Sequence, residues 1–177
     1  MARKEGDPGV DAAGIGSAGS RARAVRLAPS VAEALIAEAR LAGGEESCGL
    51  LVGARVADCF EVTKLVPCDN VAPTALRTRR FEIDPRRVIE EERALRGSGR
   101  AVVGFYHSHP QGLPVPSGTD RDYMALWPES VWVILGKEGP SPVRAWTLEP
   151  GRPSGAIELA VEEIASDAAG TAPDGSQ

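Results

Sequence analysis

Only two histidines occur in the 177-residue chain, and they stand together as His107-Ser108-His109-Pro110. The preceding Ala101-Val102-Val103-Gly104-Phe105-Tyr106 is a continuous apolar run that reads as a buried strand. On an extended backbone residues i and i+2 project from the same face, so both imidazoles can meet one metal ion. Pro110 ends regular pairing and turns the chain. Eleven residues beyond His109 is Asp120, in the first turn of a short predicted helix, where its carboxylate can join the two rings. Two nitrogens and one oxygen around zinc leave a fourth tetrahedral position for water, which is the arrangement of a hydrolytic site. Each half also has a plainer reading. The histidines can be strand-end residues satisfied by backbone, and Ser117-Gly118-Thr119-Asp120 has the form of a capping box. The two halves at this spacing favour the metal. A second pattern, Gly14-Ile15-Gly16-Ser17-Ala18-Gly19, matches the G-x-G-x-x-G dinucleotide fingerprint, but no apolar strand delivers it and no helix opens after it. It reads as a glycine-rich tail.

The elements that must position the histidines and Asp120 follow from periodicity. Ala24–Leu27 is a short strand, and Pro29 opens a helix whose Val31, Leu35, Ile36 and Ala39 recur at helical spacing up to Gly43-Gly44. Cys48–Val52 reads as a buried strand and Phe60–Val66 as a half-exposed one. A polar loop from Asp69 to Arg80 leads to Phe81-Glu82-Ile83, and Asp84-Pro85 starts a charged helix ending near Gly97. After the histidine strand come a helix from about Ser117 to Leu126 and strands at Val131–Leu135 and Val143–Leu148. Ile157–Ile164 fits a strand or an amphipathic helix. Residues 1–22 and 167–177 lack periodicity and large apolar groups and are expected to be disordered tails, leaving 23–166 as one domain. Interleaved helices and buried strands imply an α/β fold, a mixed sheet covered by helices on both faces.

Composition narrows the function classes. Hydrophobic residues make up 42% and charged residues 25%, ordinary for a chain that buries a core. A formal charge of −5 provides no basic field for a phosphate backbone, so nucleic-acid binding is not expected. No stretch has membrane-spanning length, and no signal-peptide core follows Arg3 and Lys4. Three cysteines, Cys48, Cys59 and Cys68, with no C-x-x-C pair, argue against a disulfide framework and for a reducing, cytoplasmic setting. Trp127, Trp132 and Trp146 are expected as core or packing residues. Arg77, Arg79 and Arg80 form a small basic cluster, either solvated or facing an acidic partner.

His107-Ser108-His109-Pro110, six residues, then Ser117-Gly118-Thr119-Asp120 resembles the H-x-H-P…S-x-x-D signature of the JAMM (MPN-domain) metalloproteases. The upstream glutamate of that signature matches Glu46 in Glu46-Ser47-Cys48-Gly49-Leu50-Leu51-Val52-Gly53. The resemblance extends from about Leu27 to Ile164, and within the family the short single-domain form resembles prokaryotic peptidases that act on ubiquitin-like sulfur-carrier proteins. It implies a cytidine-deaminase-like three-layer α/β/α domain with one catalytic zinc held by His107, His109 and Asp120. It also implies Glu46 as general base and Ser117 as oxyanion donor. Taken alone, Glu46 would read as a solvated acid beside Glu45; the spacing to Cys48-Gly49 selects Glu46. Cys48, two residues on, reads as a buried, inert thiol that could share the metal's face. The implied substrate is a β-grasp carrier ending in Gly-Gly, joined to cysteine or to a lysine side chain, its tail added alongside a strand. Competing classes are a non-catalytic MPN scaffold, a general peptidase and a zinc deaminase. The deaminase's H-x-E and C-x-x-C ligands are absent here.

Overall fold

The computed structural model describes residues 21–139, 141–149 and 151–164. The sequence readings for 1–20, including the Gly14–Gly19 pattern, and for 167–177 fall outside the described residues. In chain order the elements are β1 (Ala24–Leu27), α1 (Pro29–Leu41), β2 (Cys48–Val56), β3 (Cys59–Cys68), α2 (Pro85–Ala94), β4 (Ala101–His109), α3 (Gly118–Leu126), β5 (Val131–Gly136), β6 (Val143–Glu149) and β7 (Arg152–Glu163). The ambiguous segment before Ile164 is therefore a strand. It has partners on both sides, β6 antiparallel and β1 parallel, and such pairing overrides a weak helical periodicity.

Local chemistry accounts for the helix ends. Pro29 supplies the fixed φ of a first helical residue in α1, and the chain leaves that helix through Gly43 at φ +70. Asp84 caps α2 by accepting from the Arg86 N–H, with Pro85 next in line. That helix stops at Ala94, three residues short of Gly97.

The strands form one mixed ladder in the order β1-β3-β2-β4-β5-β6-β7, and it closes because β1 pairs in parallel with both β3 and β7. A three-layer arrangement does not anticipate this closure. Four-residue β1 is the seam, and nothing in so short a run announces that it has two partners. Helices do cover two apolar faces of the ladder. Leu51, Tyr106, Val133 and Val62 pack with Val31 and Leu35 of α1. Their strand neighbours Leu50, Phe105, Trp132 and Ile134 pack with Val88 of α2 and Met124 of α3. The period-2 alternation of a strand thus sends adjacent residues into different clusters. Trp132 and Trp146 lie in the core, and Trp127, 45% exposed, packs tilted against Phe105 with ring centroids 5.2 Å apart.

Gly104 shows how tightly the histidine strand is held. A Cβ there would meet the Val131 carbonyl oxygen of β5 at 1.9 Å. Among the described residues no helix is long and apolar enough to cross a membrane.

Candidate active site

The site forms where β2, β4 and α3 meet. Antiparallel pairing of β2 with β4 sets Cys48 opposite His107. The next pair is stitched by hydrogen bonds: the Ser108 N–H donates to the Ser47 carbonyl at 2.9 Å, and the Ser47 N–H donates to Ser108 Oγ at 2.9 Å. The two hydroxyls also meet at 3.0 Å. Glu46, one residue upstream, lies close enough to His109 for the two groups to interact electrostatically. The residue between the two histidines therefore locks the glutamate segment to the histidine segment, 61 positions away in the chain.

His107, His109 and Asp120 bring one candidate ligand atom each within 4.8 Å of the others. The Nε2 atoms of the two rings are 3.0 Å apart, and they lie 3.3 Å and 3.4 Å from Asp120 Oδ1 and Oδ2 respectively. His109 Nδ1 is 2.8 Å from the Leu113 carbonyl, which can only accept. That nitrogen therefore carries the proton, and His109 Nε2 presents a lone pair. His107 is fully buried and stacked on Phe81 at 4.5 Å between ring centroids, with Nδ1 lacking any partner among the described residues. Its Nε2 is thus the nitrogen that engages the cluster. A lone pair, a second imidazole nitrogen and a carboxylate converging at these distances suit a cation with nitrogen and oxygen preference, which is what zinc requires.

The electrostatics are those of the metal-free cluster. Burial lowers the His107 pKa and keeps that ring neutral, as a ligand must be. Burial also opposes charge on His109, but the Asp120 carboxylate and the Leu113 carbonyl favour its protonated form and raise its pKa on balance, a place a cation in the cluster would take from the proton. Burial likewise disfavours ionised Asp120, yet the bonds from His107, His109 and Ser117 hold its carboxyl well below the usual range.

Ser117 and Asp120 do form the capping box. The Ser117 N–H donates to Asp120 Oδ2 at 2.7 Å, and the Asp120 N–H donates to Ser117 Oγ at 3.2 Å. The capping reading and the metal reading are thus compatible. The cap uses a lone pair of the serine oxygen and leaves its O–H proton free in an exposed position. Capping also turns Asp120 toward the histidines.

Glu46 is 6% exposed, and burial pushes its carboxyl up to about 7, with Asp120 adding to the rise and His109 opposing it. It lines an open cleft of about 520 Å³ together with Thr78, Arg79, His109, Gln111 and Ser117. Glu45 lies outside that lining and pairs with Arg77 at 3.9 Å. Cys48 is buried, and desolvation pushes its thiol up to about 12, so it is inert. The three-arginine cluster divides. Arg77 bonds the Ala72 carbonyl and Glu45, and Arg80 pairs with Glu82 at 2.7 Å. Arg79 stays exposed at the cleft. Sequence reading missed Phe81 as the floor under His107 and Leu113 as the partner of His109. An aromatic and a backbone carbonyl in loops carry no pattern that marks them.

The family of prokaryotic homologs of the JAB domain matches residues 28–149, the span that holds all five candidate site residues. The chain belongs to this JAMM-type family. A desampylase of Haloferax volcanii is 38% identical over 140 residues, covering 77% of this chain and 95% of that protein. A probable TtuB-protein conjugate cleaving protease of Thermus thermophilus is 34% identical over 108 residues, covering 61% of this chain and 65% of its own length. The solution structure of a Desulfitobacterium hafniense protein superposes with a TM-score of 0.68 at 26% identity, over 80% of this chain and 94% of that one. As a member of the JAMM family with such protease relatives, the chain is a hydrolase.

Proposed function

We propose that residues 23–166 form a cytoplasmic zinc metallopeptidase that cuts the peptide or isopeptide bond after the C-terminal Gly-Gly of a ubiquitin-like sulfur-carrier protein. The carrying observation is that Glu46, His109 and Ser117 line one open cleft, with His107 and Asp120 buried beside His109 in the same cluster. The desampylase and conjugate-cleaving relatives support the substrate class. His107, His109 and Asp120 would hold a zinc ion, which would supply a Lewis acid and a water whose pKa it lowers to about 7. Glu46, held close to neutral pH by burial, accepts a proton from the attacking water and returns it to the departing amine. Ser117 donates its free O–H to the carbonyl oxygen as negative charge develops there. A scaffold needs none of this convergence.

The closed ladder constrains how the tail enters. β2 and β4 each have strand neighbours on both sides, so neither offers an open edge for β-augmentation. The Gly-Gly tail instead runs through the cleft, between the loop carrying Thr78 and Arg79 and the one carrying Gln111 and Gly112. Incubation with a carrier–cysteine adduct and with a lysine-linked carrier conjugate, read by intact mass, tests the reading. Release of carrier ending in free Gly-Gly is expected. Cleavage of unrelated unfolded peptides with both conjugates left intact would replace it with a general peptidase.

Ser117→Ala is expected to lower kcat by about 10²–10³ with zinc retained, the usual consequence of losing one oxyanion donor. It also removes the α3 cap, at about 1 kcal/mol of stability. Zinc content, steady-state kinetics and denaturant melts on one preparation separate the two effects.

A further inference from the structure

The loop between β3 and α2 grips the Glu46 peptide from both sides. The Glu46 N–H donates to the Arg77 carbonyl at 2.7 Å, and the Glu46 carbonyl accepts from Asn70 Nδ2 at 3.1 Å. The same Nδ2 donates its other proton to the Arg80 carbonyl at 3.0 Å. Asn70 Oδ1 accepts from the Ala72 and Glu82 N–H groups, both at 3.1 Å. Both donors and both acceptor lone pairs of the carboxamide are therefore used, which fixes its orientation, since a flipped amide would break all four bonds. The segment it gathers includes Arg79 and Thr78 on the cleft rim and leads into Phe81, the ring stacked on His107.

We infer that Asn70 is the positioning residue for Glu46, clamping its backbone so that the carboxylate meets the attacking water in one geometry. No other side chain contacts the Glu46 main chain through a hydrogen bond among the described residues. At Glu46 itself the main chain would otherwise have only the Arg77 contact, since the bonds to Ser108 are made by its neighbour Ser47. Aspartate has the right size but no donors. Asn70→Asp keeps acceptors for Ala72 and Glu82 while setting a carboxylate oxygen against the Glu46 and Arg80 carbonyls. Glutamine is one methylene too long to hold all four bonds. The inference rests on Glu46 as general base, which Glu46→Gln tests separately.

The decisive comparison uses full-length zinc-loaded protein and the carrier–cysteine adduct. Asn70→Asp is expected to lower kcat by about 10–10²-fold, the scale of a sub-ångström to 1 Å misplacement of a catalytic group. KM should stay within about twofold and zinc content unchanged, with kcat moving because the base acts only in the chemical step. In a Glu46→Gln background the same substitution should cost nothing further, since a clamp without its base has no catalytic target. A merely structural role predicts an additive loss. Amide hydrogen exchange needs no substrate: Asn70→Asp should speed exchange at Glu46 and leave β2 amides from Leu50 onward as in the parent. In the unmutated protein both Asn70 carboxamide protons should be protected. The proposal is overturned by an additive loss in the double variant, by kcat within twofold of the parent, or by unchanged exchange at Glu46. Should Asn70→Asp not fold, free-rate exchange of the Asn70 carboxamide protons in the unmutated protein would overturn it equally.

Discussion

His109→Ala protein is expected to fold, to carry no zinc and to hydrolyse no carrier conjugate. The fold survives because His109 sits at the last position of β4, beside the cleft, and its main structural bond goes to the Leu113 carbonyl in a loop. The metal does not survive, because removing one of three converging ligand atoms leaves a buried imidazole and a carboxylate that cannot complete a tetrahedral set. Thermal melts give a readout independent of activity. A ligand that binds only the native state stabilises it by RT ln(1 + [L]/Kd), roughly 4 kcal/mol at a thousandfold excess over Kd. Added zinc should therefore raise the Tm of stripped parent protein strongly and leave that of His109→Ala where it was. Equal zinc shifts in the two proteins would remove His109 from the ligand set.

Glu46→Gln separates catalysis from metal binding. The amide is isosteric, holds the same place in the cleft and cannot accept a proton, so the variant should bind zinc normally and lose about 10²–10⁴ in kcat. Its stability should also lose a pH dependence. In the metal-free protein burial raises the Glu46 carboxyl from 4.5 to about 7. The native state thus holds that proton where the unfolded chain has released it. The neutral form's advantage is complete below pH 4.5 and fades as pH rises through 7. Metal-free parent should accordingly weaken relative to Glu46→Gln across that window, as chemical denaturation at several pH values can measure. Near-parent turnover by Glu46→Gln would shift the base assignment to another group, with Glu45 the first to test.

Much of this site could be read from the chain because its chemistry is local. His107 and His109 share a face through the strand period alone, and the cap that turns Asp120 inward is written in four consecutive residues, Ser117 to Asp120. Strand and helix periodicities likewise placed the starts of β2 and β4 and both ends of α3 within one residue, since burial on one face imposes its period directly on the sequence, whereas β2 runs on to Val56, four residues past the expected Val52. Composition added that a core would form without a basic field. What tertiary structure alone decided involves partners far apart in sequence. The approach of Glu46 to His109 rests on the β2–β4 pairing and the Ser47–Ser108 bonds, and nothing short-range specifies which serines meet. Closure of the ladder through β1, the Phe81 ring beneath His107 and the Asn70 clamp are of the same kind. Each depends on backbone groups or single side chains in loops, where no period exists, so their positions emerge only once the strands have paired and the loops have been drawn across them.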